Sequence, residues 1–149
     1  GLISFCKTTG GKGLHVVTPL AVNARKPLSW AEAKGFAHDV CQEMARDNPD
    51  LYLIKMTKSL REGRIFLDYL RNDRMATAVA PLSPRARPGA TVSMPLTWTQ
   101  VKSDLDPKRF TIRTVPTLLA KTSAWEDYCD GQRPLEQAIK RLGKHKTAS

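Results

Sequence analysis

Residues 2–20 read LISFCKTTGGKGLHVVTPL, and this stretch decides the fold class. Two apolar, β-rich runs, 2–7 and 14–20, flank Thr8-Thr9-Gly10-Gly11-Lys12-Gly13. A glycine-rich segment this short between two such runs predicts a hairpin, or two strands joined by a tight loop. Glycines also let backbone N–H groups turn toward a ligand, and such concavities bind anions. Lys12 adds a point charge, Thr9 a hydroxyl, and His15, just past the turn, a ring that can donate to a phosphate. A plain hairpin turn with an exposed Lys12 and a core His15 explains the same residues. The segment is not a P-loop, because that pattern needs Ser or Thr after Gly-Lys and Gly13 stands there.

Outward from the hairpin, helix signals follow. Ser29-Trp30-Ala31-Glu32 is a capping box. Ala33, Phe36, Ala37, Val40 and Met44 then recur at helical spacing, predicting a helix over 29–47 that stops at Asn48-Pro49. Residues 51–56 and 76–80 are short strand candidates, and 64–70 reads as a buried strand. The stretch 81–95 carries Pro81, Pro84, Pro88, Pro95 and Gly89 and reads as an extended loop. Thr97–Gln100 and Ser123–Glu126 are two more capping boxes, and 110–115 alternates like a strand. Leu135, Ala138, Ile139 and Leu142 form one face of a final helix ending near Gly143, with 144–149 a disordered basic tail. Strands and helices mix without βαβ alternation. The class is therefore α+β, a mixed or antiparallel sheet with flanking helices.

The chain has 149 residues, about one domain's length. Cys6, Cys41 and Cys129 form no CxxC pair, which argues against a disulfide scaffold or zinc ribbon; they read as packing residues. No apolar run suggests a membrane span or a membrane partner, and the start has no signal-peptide pattern. With 24 Lys+Arg against 14 Asp+Glu the net charge is +10, and the pI is near 9.9. Such a field favours a polyanion, most often nucleic acid.

Charge concentrates around Arg61, Arg64, Arg71, Arg74, Arg85 and Arg87. Residues 55–87 hold eight Lys+Arg against three acids, a net of +5. Asp68 lies inside the apolar run 64–70. A buried carboxylate must be paired, protonated or metal-bound, so Asp68 is either a metal ligand or half of an Arg–Asp pair. Arg85 and Arg87, on a proline-stiffened loop, suit bidentate phosphate contacts or form a solvated basic loop. Asp104-Leu105-Asp106-Pro107 has DxD spacing but reads as a helix-ending turn. His38 and His145 have no ligand-spaced partners, and Trp30, Trp98 and Trp125 read as core anchors at helix starts.

Taken in order, TTGGKGLHVV at 8–17, GRIFLDYLRN at 63–72, ATAVAP at 76–81, RARPGA at 85–90 and FTIRTVP at 110–116 resemble the polymerase domain of bacterial DNA ligase D. That domain is a member of the archaeo-eukaryotic primase superfamily. The resemblance covers 1–143 and corresponds to the C-terminal half of the domain. It implies part of a template-directed DNA or RNA primase-polymerase, a nucleotidyltransferase acting at DNA ends in non-homologous end-joining repair. By that likeness Thr9 (Ser in most of the family), Lys12, His15 and Arg85 hold the triphosphate, and Arg71 lies near the incoming sugar. Asp68 is one catalytic, metal-binding carboxylate, and Arg61, Arg64 and Arg87 face DNA. The implied cofactor is a divalent metal, Mn or Mg, with an NTP or dNTP substrate. The implied partners are a primer–template at a DNA end, the missing N-terminal half of the domain, a ligase domain and Ku, in the bacterial cytoplasm near the nucleoid. The family's paired metal-binding aspartates lie upstream, on a strand outside this sequence. The chain alone is therefore expected to be inactive, with the glycine loop and the Asp68 strand in one sheet around one cleft. An uncovered sheet edge is expected to invite self-association. A non-enzymatic nucleotide- or nucleic-acid-binding module is the alternative.

Overall fold

The computed structural model describes residues 1–147. It separates into two compact units, 1–21 with 79–134, and 22–78 with the C-terminal helix.

The first unit is built on the hairpin. Strand β1, Phe5–Thr8, pairs antiparallel with β2, Leu14–Val17, so that Lys7 faces His15 across the ladder. Gly10 adopts φ +65°, a left-handed conformation that costs a glycine little, and this closes the turn. β1 is the middle strand, because β5, Pro95–Leu96, pairs antiparallel on its other side. Two neighbours bury β1: Cys6, Lys7 and Thr8 are all buried. Cys6, Val92, Met94, Leu96, Phe110 and Val115 form the core. β2 is an outer strand with Val16 65% exposed. A short helix α2, Val115–Leu119, follows Phe110.

The second unit holds α1, Trp30–Asp47, capped as expected: Ser29 Oγ accepts from the Glu32 N–H while the Glu32 carboxylate accepts from the Ser29 N–H. Strands β3, Tyr52–Leu53, and β4, Ile65–Phe66, pair in parallel over two residues each. The closing helix α3, Leu135–Thr147, packs on α1.

Several elements differ from the sequence reading, each for a local reason. The strand read at 64–70 shrinks to Ile65–Phe66, because Asp68 Oδ1 accepts the Leu70 N–H and turns the chain. The glycine loop and Asp68 therefore do not share a sheet. Residues 76–80 form no strand; three alanines give a strand little to pack, and only Val79 escapes full exposure. At 110–115 the Thr111 and Thr114 hydroxyls bond neighbouring backbone and make a turn, and α2 then starts at Val115 with Pro116 in its first turn. Thr97–Gln100 keeps its capping box but opens only a 3-10 turn, Trp98–Gln100. Ser123–Glu126 opens no helix, since Trp125 sits at φ +69°. Trp30 and Trp98 are exposed, and only Trp125 packs, against Phe5 and Tyr128. Cys129 is exposed, whereas Cys6 is buried. α3 continues through Thr147, past Gly143, because Gly143 stays helical. Residues 148–149 and the His145 side chain lie outside the described residues.

Candidate anion-binding site

Every part of the site in the first unit hangs on the hairpin. Inside the loop, the Thr9 N–H donates to Gly13 O at 3.1 Å and Thr9 Oγ1 donates to the same oxygen at 3.0 Å. Thr9 Oγ1 also accepts the Gly11 N–H at 3.2 Å. The hydroxyl hydrogen that could serve a ligand is thus engaged within the loop. Lys12 is exposed at the tip.

Residues some 75 positions later are drawn in. Arg85 Nη1 donates to Thr9 O at 3.0 Å, its backbone N–H donates to Thr91 O, and Thr91 Oγ1 donates to Gly10 O at 2.6 Å. A Cβ placed on Gly10 would fall 2.5 Å from Arg85 Cγ, so glycine is needed there for close approach as well as for φ. A Cβ on Gly11 would meet Arg87 Nη1 at 3.1 Å, which places Arg87 against the loop too.

Lys7, which the sequence reading did not single out, is only 3% exposed in the middle of β1. Its Nζ donates to Val79 O at 2.7 Å and to Ser93 Oγ at 3.0 Å, and lies 3.1 Å from His15 Nδ1. Burial, then the nearby Arg85 charge, pull the Lys7 ammonium below its ordinary range. Among the described residues, no carboxylate pairs with Lys7, Lys12, Arg85 or Arg87. Cationic groups gathered at a glycine loop with no counter-charge attract an anion.

The second unit holds the remaining candidates. Asp68 is exposed rather than buried; Oδ1 takes the Leu70 N–H at 3.1 Å and Oδ2 takes Arg71 Nε at 3.0 Å. Of the two readings open for Asp68, the structure has the ion pair. Arg71 Nη1 also reaches Thr77 O. Arg61 stacks its guanidinium 4.1 Å from the Phe66 ring centre, leaving its buried Nε without a hydrogen bond, and Arg64 is exposed. Burial, then the Asp68 charge, push the Cys41 thiol up. His38 lies edge-on to Tyr69 and near Asp39. Asp106 accepts the Lys108 N–H and caps the 3-10 turn Pro107–Arg109, consistent with the turn reading of the DxD.

Among the described residues no group of three or more His, Cys, Asp or Glu could hold a metal. Asp68 is a lone carboxylate with both oxygens engaged, so the residues present do not by themselves fit a divalent metal.

An antiparallel hairpin with a cationic glycine loop, set in a small α+β frame, is a candidate anion-binding arrangement. The chain belongs to the LigD primase-polymerase domain family, whose sequence profile matches residues 1–125. It is 36% identical over 148 residues to the multifunctional non-homologous end joining protein LigD of Pseudomonas aeruginosa, covering 97% of this chain and 17% of that protein. The multifunctional non-homologous end joining DNA repair protein LigD of Mycobacterium tuberculosis H37Rv is 34% identical over 149 residues, 100% of this chain and 19% of that protein. The solved polymerase domain of Mycobacterium tuberculosis ligase D in complex with DNA superposes with a TM-score of 0.76 at 35% identity. That match covers 85% of this chain and 42% of the solved chain. The chain thus spans under a fifth of these two curated relatives and less than half of the solved domain.

Proposed function

We propose that this chain is the nucleotide-handling part of a template-directed primase-polymerase that extends DNA ends during non-homologous end-joining repair. The observation that carries this reading is the cluster Lys7, Lys12, Arg85 and Arg87 at the glycine loop, which no carboxylate among the described residues pairs with. A triphosphate supplies that charge. Lys12, His15 and Arg85 bind its oxygens and neutralise the charge that builds as a primer 3′-hydroxyl attacks the α-phosphate and pyrophosphate leaves. Thr9 serves the triphosphate through its Gly11 contact, and Arg71 the sugar. Arg61, Arg64 and Arg87 meet DNA phosphates. Asp68 acts as a catalytic metal ligand only beside carboxylates that this chain does not supply, so the 149 residues alone are inactive. The missing half of the domain, a ligase domain and Ku are the partners this reading carries, in the bacterial cytoplasm. The exposed outer strand β2 is where further strands or a second copy would pair. No helix among the described residues is long and apolar enough to cross a membrane.

Calorimetric titration with ATP tests the cradle. Arg85→Ala and Lys12→Ala are each expected to weaken binding about tenfold, the worth of one hydrogen bond to a charged group. Unchanged affinity in both would overturn it. Primer extension with manganese and the purified chain should stay at background, and any template-directed product contradicts the expected inactivity. DNA binding should weaken steeply with salt, because phosphate contacts release counterions. The second reading, a non-enzymatic nucleotide- or nucleic-acid-binding module, is favoured by the ion-paired state of Asp68. It is set apart by activity staying absent when the missing half is added back.

A further inference from the structure

We propose that Lys7 is a positioning residue that holds His15 as the neutral tautomer protonated on Nε2, so that the ring presents an N–H donor to the bound anion. An ammonium has three donors and no acceptor. Lys7 Nζ has three neighbours: Val79 O at 2.7 Å, Ser93 Oγ at 3.0 Å and His15 Nδ1 at 3.1 Å. Val79 O can only accept. Ser93 Oγ spends its own hydrogen on Thr8 O at 2.6 Å, so toward Lys7 it also accepts. The third donor then points at His15 Nδ1. A donor facing Nδ1 leaves Nε2 as the protonated nitrogen of the neutral ring.

The competing arrangement is a neutral amine that accepts a proton from Nδ1. Burial and Arg85 favour it, and Cys6 is the other titratable group close to Lys7. Against it stand an ordinary ammonium pKa about three units above neutrality and three acceptors that reward the charged form. The two arrangements put the ring hydrogen on opposite nitrogens, so they are separable by spectroscopy.

The placement is built into the fold. Lys7 and His15 are register partners on adjacent strands, so their side chains share one face of the sheet. The assignment rests on the proposed nucleotide reading only for the identity of the anion. The tautomer is a property of the chain itself.

Long-range nitrogen–proton NMR of the nitrogen-15-labelled chain at neutral pH, with His15→Gln to assign the signals, reads the tautomer directly. An unprotonated Nδ1 and a protonated Nε2 at His15 are expected, and a ring protonated at Nδ1 overturns the proposal. In Lys7→Met the single tautomer should give way to a mixture and ATP affinity should drop about tenfold. Lys7→Arg, which keeps a donor, should restore the Nε2 tautomer. A Lys7→Met chain that folds and keeps both tautomer and affinity overturns the positioning role. If Lys7→Met does not fold, ATP added to the unsubstituted chain decides: the His15 Nε2 signal should move, and a signal that stays put while ATP binds overturns the link to the anion. Failure of ATP to bind at all would sink the nucleotide reading, while a protonated Nε2 would still support the Lys7–His15 assignment.

Discussion

The two units solve burial in different ways. In the first, polar groups go inside: Lys7, Thr8, Thr91 and Ser93 are buried together with Met94 and Leu96, and side chains and backbone pair them. In the second, α1 has no fully buried residue, and Trp30 and Met75 are 56% and 88% exposed. Its buried residues, among those described, are Leu53, Leu135 and Ala138. A buried polar network fixes one arrangement of its members, since each unmet partner is costly. Apolar side chains facing water fix little. The proposed triphosphate cradle is thus held within its own unit, whereas Asp68 and its arginines sit in a unit with much less interior.

The largest test of that contrast is a matched pair of truncations. Leu96→Ala in the core of the first unit should cost about 3 kcal/mol. Met44→Ala on α1 should cost less than about 0.5 kcal/mol. Urea denaturation reads both, and similar losses would erase the distinction.

Two glycines at positive φ sharpen it. Gly10 and Gly63 sit at +65° and +70°, one in each unit. A Cβ on Gly63 meets nothing within 4 Å, while one on Gly10 runs into the Arg85 side chain. Gly63→Ala should therefore cost only the left-handed strain, about 1 kcal/mol. Gly10→Ala should cost about twice that and also weaken ATP binding, because Arg85 must move. Equal costs with unchanged ATP affinity would show that Arg85 is not held by the loop.

The smallest effect is in pH, and its window differs between the units. Hydrogen bonds from Ser29 hold Glu32 below its ordinary range, and Lys34 does the same for Asp73. Both carboxylates add stability that is complete above their unfolded values and is lost as pH falls through the lower folded ones. The second unit should thus loosen in acid, below about pH 4, and Lys34→Met should flatten that slope. Lys7 acts with the same sign but in the alkaline range. Its lowered pKa means the unfolded chain binds more protons at alkaline pH, so this group makes the first unit gain stability as pH rises toward the ordinary lysine value. Thermal melts across pH, with a fluorescence probe in each unit, separate the acid window from the alkaline one.

The hairpin, α1 and its capping box were legible because each is set by residues within a few positions: Gly10 for the turn, Ser29 and Glu32 for the cap. The glycine loop was legible as a tight turn for the same reason. Lys7 was not, because its burial depends on β5 covering β1 from nearly 90 residues away, and one lysine in a strand carries no local mark of that. Asp68 misled in the opposite direction. Its apolar neighbours suggest a strand interior, but an aspartate two residues before a backbone N–H makes its own turn. Residues 110–115 alternate like a strand, yet two threonines three apart bond each other's backbone and start a helix instead. Trp30 and Trp98 read as core anchors by size alone, but size does not place a ring inside a unit with so little interior.

The bond from Lys7 to Ser93 spans 86 positions. During synthesis at about 5–20 residues per second, the hairpin leaves the ribosome roughly 4–17 seconds before its outer partner exists. For that interval β1 lacks its β5 neighbour and Lys7 lacks Ser93, and for most of it Val79 as well. The nascent chain therefore carries a half-made strand with a hydrated ammonium through the whole time in which residues 22–78 of the second unit are being made. The cradle can lock only after that delay, which makes its assembly a late event set by translation speed.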